Sequence, residues 1–373
     1  MANVLDLKRR IRSVKNTRQI TKAMKMVSAA KLRRAQERAV QARPYAQMLA
    51  NVLQSLVRRA ALYGEEGGDV MHPLLVEREE KNVLLLVIAG DKGFAGAFNS
   101  NVGKAAQRFI DTRRAPHAVD HDKAPAEQNI DIETVGRKSR DLFKRRYPDA
   151  TWKHVDEAYD NGLSHHIEDV RERKQPVELT HDLSSLLGKL TFTDVDKSAH
   201  SIIDRYERGE IDAVYLVYNE FKSVIAQRIV VEKLLPIRKL GSQEITAVEE
   251  MTEEQKEAAA KAAETAGISI HATEDTAMEE EAKTFGTADV DYLYDEDPAV
   301  LFRHLLPRYV TTQIYHALLE SVASEHASRM TAMDSASSNA SDMIDKLTLT
   351  MNRVRQAAIT TEIIEIVSGA AAL

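Results

Sequence analysis

The sequence contains one glycine-rich segment whose spacing could serve phosphate chemistry. It runs from Gly90 through Gly93 to Gly96 and follows a short apolar stretch. Glycines in such a place let backbone N–H groups approach a phosphate at the start of the next helix. The spacing G-x-x-G-x-x-G matches neither the dinucleotide fingerprint nor the phosphate loop ending in Gly-Lys-Ser/Thr. We therefore expect a turn shaped for packing, with a nucleotide-binding enzyme as the minor alternative.

Two pairs of histidines raise the question of a metal site. His117 and His121, like His165 and His166, lie in polar, loop-like sequence outside any H-E-x-x-H pattern, so surface histidines are the better interpretation. No Ser/His/Asp arrangement is legible. Because the chain has no cysteine, thiolate zinc sites, Fe–S clusters, disulfides and a cysteine nucleophile are all excluded. We expect no catalytic residue, no cofactor and no metal.

Composition predicts a helix-rich protein that does not span a membrane. The 373 residues are 43% hydrophobic and 29% charged, enough for two to three domains with a real core. No stretch approaches the eighteen consecutive apolar residues of a membrane span. The N-terminus enters a charged helical pattern directly, without the features of a signal peptide. A bacterial cytoplasmic protein fits these features.

Two long segments lack both proline and glycine and predict the elements that organise the chain. They are the first 43 residues and residues 308–368. A helix of about sixty residues is ~90 Å long, so its apolar stripe must be covered by another element. The simplest partner is the other terminal helix, running antiparallel, which makes a shaft suited to mechanics or scaffolding. We expect Pro44 to kink or restart the first helix and Pro307 to break the last.

The predicted seam between the two helices is weak. On the first helix the apolar stripe is Val4, Leu7, Ile11 and Val14, continued by Ile20, Met24 and Val27. On the last helix a heptad seam runs through Ala336, Ala340, Met343, Leu347, Thr350, Val354, Ala357, Thr361, Ile364 and Ser368. Over half of that second line is small or polar. The shaft therefore relies on a surrounding partner for stability.

Between the helices, strand and helix patterns alternate and predict a small α/β domain at 80–238. The continuous apolar run 83–89 indicates a strand buried on both faces, and 130–136, 213–218 and 223–235 are further strands. Helices are expected at 101–112, 137–147 and 194–208. Apart from the last of these, residues 150–200 show no clear pattern.

Charge is distributed unevenly along the chain. Residues 1–60 hold fifteen Lys and Arg against two Asp and Glu, whereas 241–291 hold fourteen Asp and Glu against three Lys. We interpret 239–290 as an acidic, partly flexible insertion with one exposed helix at 253–266. A basic first helix could bind nucleic acid, but its cations surround the helix and no aromatics are interleaved. An acidic protein cavity or solvent is the better partner.

Both ends of the chain resemble the gamma subunit of bacterial F-type ATP synthases. The resemblance is carried by IRSVKNTRQITKAMKMV at 11–27, KLRRAQ at 31–36, LPRYV at 306–310, SEHASRMTAM at 324–333 and RQAAITTEIIEIVSGA at 355–370. It is close over 1–50 and 291–373 and recognisable at 83–104 and 213–238. In place of the family's Gly-Leu-Cys-Gly-Gly the chain has Gly93-Phe94-Ala95-Gly96-Ala97. The acidic segment at 241–286 is longer than usual and lacks the cysteine pair of a redox switch.

The resemblance implies an α/β fold class: a long antiparallel coiled coil of the terminal helices plus a Rossmann-like domain that binds no nucleotide. The implied domains are 1–63, 80–238, 239–290 and 291–373. The implied function is a non-catalytic rotor of the proton-translocating complex, transmitting c-ring rotation to the beta subunits and regulating ATPase activity and proton flow. Its partners would be the alpha3beta3 hexamer, the epsilon subunit and the c-ring, with one copy per complex and no nucleic acid. It would lie peripherally at the cytoplasmic face of the bacterial inner membrane.

Individual positions take their expected roles from the same resemblance. Contacts between rotor and stator fall on Met24, Lys25, Arg355 and Gln356. A foot near the c-ring and epsilon falls on Tyr292, Tyr294 and Asp295, with Asp in place of the usual Glu. The runner-up hypothesis from another class is a stand-alone coiled-coil tether or nucleic-acid-binding protein.

Overall fold

The computed structural model describes residues 4–63, 72–114, 128–158, 165–184, 186–188, 190–237, 244–268, 295 and 298–371. Helices α1 to α6 span Val4–Tyr63, Phe98–Arg114, Arg137–Phe143, Phe192–Glu207, Glu253–Ala266 and Pro298–Ala371. Strands β1 to β8 span Asn82–Ile88, Asn129–Val135, Thr151–Ala158, His165–Glu172, Val177–Asp182, Ala213–Phe221, Gln227–Leu235 and Glu244–Glu250. The two long terminal helices are therefore confirmed.

Neither long helix is interrupted at its proline. α1 continues through Pro44 and α6 through Pro307, so the expected restart at Pro44 and break at Pro307 are wrong, and a kink at Pro44 stays a prediction. An internal proline costs about 3 kcal/mol. Leu53 and Leu306, each fully buried, lie on the same helices within three turns of the prolines. Because burying a leucine contributes roughly 1.5–3 kcal/mol, a few such side chains offset the cost of the proline.

α1 and α6 run antiparallel as a shaft. As residue numbers rise along α1, the numbers of their hydrogen-bond partners on α6 fall. The contacts are Arg18–Ser341 at 3.4 Å, Thr21–Ser337 at 2.7 Å, Lys25–Asp334 at 2.6 Å and Tyr45–Arg308 at 3.4 Å. This spacing sets Val4, the first residue of α1, level with residues near 354 of α6. The last turns of α6 therefore extend beyond α1.

The seam between the helices follows the predicted positions at Leu7, Ile11 and Ala340, which are buried, and departs from the predicted phase in its middle. Ile20 and Val27 are 60% and 57% exposed, and the buried positions beside them are Thr21, Lys25 and Ser28. On α6, Met343 is exposed and Ile344 is buried in its place. The apolar residues at these levels face outward because hydrogen bonds and an ion pair join the helices here. The middle of the seam is polar.

The α/β domain is a six-stranded sheet in the order β5-β2-β1-β6-β7-β8, and β3 and β4 form a separate hairpin. Strands β5, β2, β1 and β6 are parallel, and β7 and β8 add antiparallel strands at one edge. Alternate residues of β1 enter different cores, as predicted for a strand buried on both faces. One face packs on α2, and the other packs on α4, on the C-terminal part of α1 and on the N-terminal part of α6. The shaft is thus part of the domain's own core.

The acidic segment is more ordered than predicted. Helix α5 has the predicted bounds, but Ala259, Ala262 and Ala263 are buried, so the expectation of an exposed helix is wrong. Strand β8 was not predicted and pairs with β7, because β7 would otherwise leave an open sheet edge. The boundary at 238 separates two strands of one sheet, and we propose that the domain ends after β8. Residues 269–294 lie outside the described residues.

A carboxyl group of the sheet is buried close to α6. Glu232 on β7 is 3% exposed and accepts a hydrogen bond of 3.0 Å from the Tyr218 hydroxyl. Burial raises the pKa of Glu232 to about 7. The folded chain therefore holds a proton on this group at pH values where the unfolded chain has lost it.

The free energy of unfolding should consequently fall as the pH rises, because the folded state holds the Glu232 proton more tightly than the unfolded state does. Below about pH 4.5 Glu232 is protonated in both states, and from there to about pH 7 only the folded state keeps the proton. The raised pKa corresponds to a loss of about 3 kcal/mol that is complete above pH 7. Denaturant unfolding of Glu232→Gln should show a higher free energy of unfolding than the native chain at pH 8 and little difference near pH 4.5. The exposed-site variant Glu257→Gln is the control, and an unchanged pH slope in Glu232→Gln would contradict the assignment.

Candidate functional site

The glycine-rich turn lies at the carboxyl ends of the parallel strands, where open α/β sheets bind nucleotides. In this chain α6 fills that crevice. Arg329 pairs with Glu325 and donates hydrogen bonds of 3.3 Å to the carbonyl oxygens of Lys92 and Gly93. Both α6 side chains are buried. A phosphate would meet the Glu325 carboxylate, so the geometry favours the packing turn over the nucleotide site.

Gly90 makes this close approach of α6 possible. A Cβ at position 90 would lie 2.7 Å from Glu325 Cδ and 3.1 Å from Asn99 Oδ1. At Gly93, three residues further on, a Cβ would meet nothing within 4 Å. A side chain at position 90 would therefore have to displace the end of the buried Glu325 side chain, whereas one at position 93 would not.

The structure gives no support for a metal centre in the part of the chain that it describes. No group of three or more His, Cys, Asp or Glu residues there is placed to hold an ion. His165 and His166 are on β4, and His117 and His121 lie outside the described residues.

Lys25 occupies a junction of three helices. Its ammonium donates to Asp334 Oδ1 on α6 and to Thr265 Oγ1 on α5, both at 2.6 Å, and the residue is 8% exposed. Its neighbour Met24 is half-buried. Of the two sequence-predicted contact residues, Met24 is thus partly accessible, whereas Lys25 is buried and its charge is already paired within the chain.

A basic groove of about 1320 Å³ runs beside this junction between α1, α5 and α6. Its cations besides Lys25 are Arg18, Lys22, Arg33, Arg34 and Lys261, and its carboxylates are Glu37 and Asp334. The excess of positive charge favours an acidic partner surface. Five of the fifteen cations in residues 1–60 thus line one groove of the shaft.

The tip of α6 is the most unusual surface of the described chain. From Arg355 onward every described side chain is exposed, Gln356 included, because α1 begins at this level and does not cover the rest of α6. The tip carries a stripe of large apolar side chains that are 48–71% exposed, namely Ile359, Ile363, Ile364, Ile366 and Val367. Seventeen residues of single helix are ~25 Å long. An apolar helix of that length without a cover indicates a protein partner.

The predicted foot is only partly described. Asp295 is exposed just before α6 begins, whereas Tyr292 and Tyr294 lie outside the described residues. Within the described helices, none combines the length and the apolar character needed to cross a membrane.

Comparison with known proteins gives matches over the full length. A family model described as ATP synthase matches residues 3–373. The ATP synthase gamma chain of Solibacter usitatus is 43% identical over 372 residues, covering 100% of this chain and 99% of that protein. The gamma chain of Geobacter metallireducens is 40% identical over 370 residues, covering 99% and 98%.

Solved structures of mitochondrial ATP synthases are more distant. A chain of the Euglena gracilis complex (OSCP/F1/c-ring) has a TM-score of 0.49 at 15% identity, covering 99% of this chain and 94% of that one. A chain of the Tetrahymena thermophila central stalk and c-ring has a TM-score of 0.47 at 20% identity, covering 85% and 99%.

The crevice geometry makes a prediction about the glycine-rich turn. Gly90→Ala should lower the free energy of unfolding by about 1–3 kcal/mol, because its Cβ displaces the buried Glu325 side chain. Gly93→Ala, in the same turn, should have little effect. Denaturant unfolding of both variants checks this, and equal losses in the two would contradict the role given to Glu325.

Proposed function

Because this chain belongs to the gamma chain family of ATP synthase, we propose that the α6 tip projects into the ring formed by the alpha and beta subunits. As a gamma chain it is the rotor subunit of the central stalk and does not catalyse ATP synthesis by itself. The observation that carries the proposal is the uncovered apolar tip, which a surrounding sleeve of protein would bury. The tether and nucleic-acid alternatives leave that tip without a cover.

Rotation of such a tip can change nucleotide affinity through unequal contacts. The tip has an isoleucine-rich stripe and, elsewhere around the helix, smaller residues such as Ala357 and Thr361, so its faces differ in what they can bury. One orientation therefore contacts different conformers of the beta subunit with different free energies, and those differences shift the conformer populations. A difference of 1.4 kcal/mol changes an equilibrium tenfold.

We extend the proposal to individual contacts. Arg355 and Gln356, exposed at the base of the tip, would contact a loop of the beta subunit. Met24 would contact the beta subunit closer to the α/β domain. Lys25 would contribute from its pair with Asp334, because its ammonium faces into the chain. Asp295, with Tyr292 and Tyr294, would form the foot near the c-ring and epsilon.

The remaining assignments follow from the family. We propose one copy per complex, held at the cytoplasmic face of a bacterial inner membrane through its partners. Proton flow would turn the c-ring, and the shaft would turn with it.

Apolar burial of the tip can be tested by adding charge to it. Ile363→Glu with Val367→Glu places two carboxylates one helical turn apart on the tip, and each would have to be desolvated inside the ring. Reconstitution with alpha and beta subunits should give several-fold less assembled complex, and correspondingly less ATPase activity, than the native chain.

The control carries two carboxylates at the same spacing on the α/β domain and makes the larger change in net charge. Lys104→Glu with Arg108→Glu alters exposed residues of α2 and should leave assembly unchanged. Normal assembly of the tip variant would contradict burial of the tip, and failure of the native chain to form a complex with alpha and beta would contradict the function itself.

A further inference from the structure

Helix α5 forms a third wall of the shaft. Its buried face is Ala259, Ala262 and Ala263, followed by Ile268 just beyond the helix. These residues share one apolar cluster with side chains of both shaft helices, namely Ala29, Leu32 and Ala35 of α1 and Ala323, Ala327 and Met330 of α6. Small side chains on all three helices let the backbones approach closely. The shaft is therefore a three-helix structure at this level.

Two cations of α1 hold the C-terminal end of α5. Lys25 donates to Thr265 Oγ1 at 2.6 Å, and Arg33 donates to the carbonyl oxygen of Gly267 at 3.2 Å. Cations are favoured at this end of a helix because unpaired carbonyl groups concentrate negative potential there. Lys25 also bonds Asp334, so a single ammonium joins α1, α5 and α6.

The other end of α5 is fixed to the sheet. Only Met251 and Thr252 separate the end of β8 from the start of the helix. Thr252 and Gln255 form a capping box, which makes the first turn rigid. A continuous path thus leads from the outer edge of the sheet through β8 and α5 to the shaft.

α5 contacts the shaft from Lys25 to Ala35 of α1, directly beside the polar part of the seam. The buried residues of α1 in that polar part are Thr21, Lys25 and Ser28, and most of the buried side chains that follow beside α5 are small. A polar, small-residue seam resists rolling and sliding of one helix on the other less than an interlocked leucine seam does. Twisting an antiparallel pair requires such sliding, and a third helix wedged against both partners opposes it.

We propose that α5 is a torsional brace, which locks α1 against α6 and ties both to the edge of the α/β domain. This rests on the proposed rotor function, in which torque passes between domain and shaft. Loosening α5 should leave a complex that assembles and rotates, but with a softer connection between the domain and the alpha–beta ring.

Docking of α5 can be measured with thiol labelling, since the chain has no cysteine of its own. In the assembled complex, the thiol introduced by Ala259→Cys should react at least tenfold more slowly than that introduced by Glu257→Cys, which is exposed. Equal rates would show that α5 is not docked and would overturn the proposal. Adding Ala263→Gln should speed labelling at position 259 several-fold, whereas adding Glu264→Gln, on the exposed face, should not.

Stiffness is then measured by single-molecule tracking with the alpha–beta ring fixed and a probe on the domain side. Ala263→Gln should at least double the mean-square angular fluctuation, and Glu264→Gln should leave it unchanged. Thr265→Val, which removes the bond to Lys25 with little change in shape, should give a smaller increase. If thiol labelling shows that Ala263→Gln releases α5 but the angular fluctuation does not change, the brace proposal is overturned and the proposed rotor function is not. A complex that does not rotate with the native chain would contradict the proposed function and the brace with it.

Discussion

The structure depends on one constraint. The apolar surfaces of α1 and α6 must be packed against something along their whole length, and α6 extends past the start of α1. From about Leu49 onward on α1, and up to about Ile314 on α6, the α/β sheet covers the helices, since both enter its core. Around Lys25, α5 covers the pair. Beyond the start of α1, no described part of the chain covers α6, and its isoleucines face outward. The proposed site of partner binding is thus the place where internal cover ends.

The polar middle of the seam has a physical role of its own. A seam of small residues allows neighbouring registers with similar packing, so it specifies alignment poorly. Lys25 and Asp334 can pair only in one register, and a slip would leave a largely buried charge without its partner. Breaking such a pair by removing one member costs roughly 3–5 kcal/mol when it is fully buried. We infer that these polar contacts set the alignment that apolar burial alone would not.

The sequence supports prediction where local rules decide. Absence of proline and glycine predicted both long helices, and capping residues around Thr252 and Gly267 delimit α5. Strand β8 was missed because acidic composition carries no information about an available sheet edge at β7. The seam was misplaced by one position at Ile20 and Thr21, since hydrophobicity alone does not reveal the polar partner on α6. The proposed contacts of Arg355 and Gln356 rest on the resemblance rather than on a local pattern, and they stay a prediction.

The glycine-rich turn shows how a nucleotide-type crevice becomes a mechanical joint. Its filling residues, Glu325 and Arg329, lie more than 230 positions away in sequence, so no local reading of the turn could identify them. The pair is buried, hydrogen-bonded to loop carbonyls and accommodated only because Gly90 lacks a side chain. A phosphate could enter only by separating this pair and leaving its charges uncompensated. The crevice therefore connects the sheet to α6, and the proposed brace α5 makes a second connection, to α1 and α6 together.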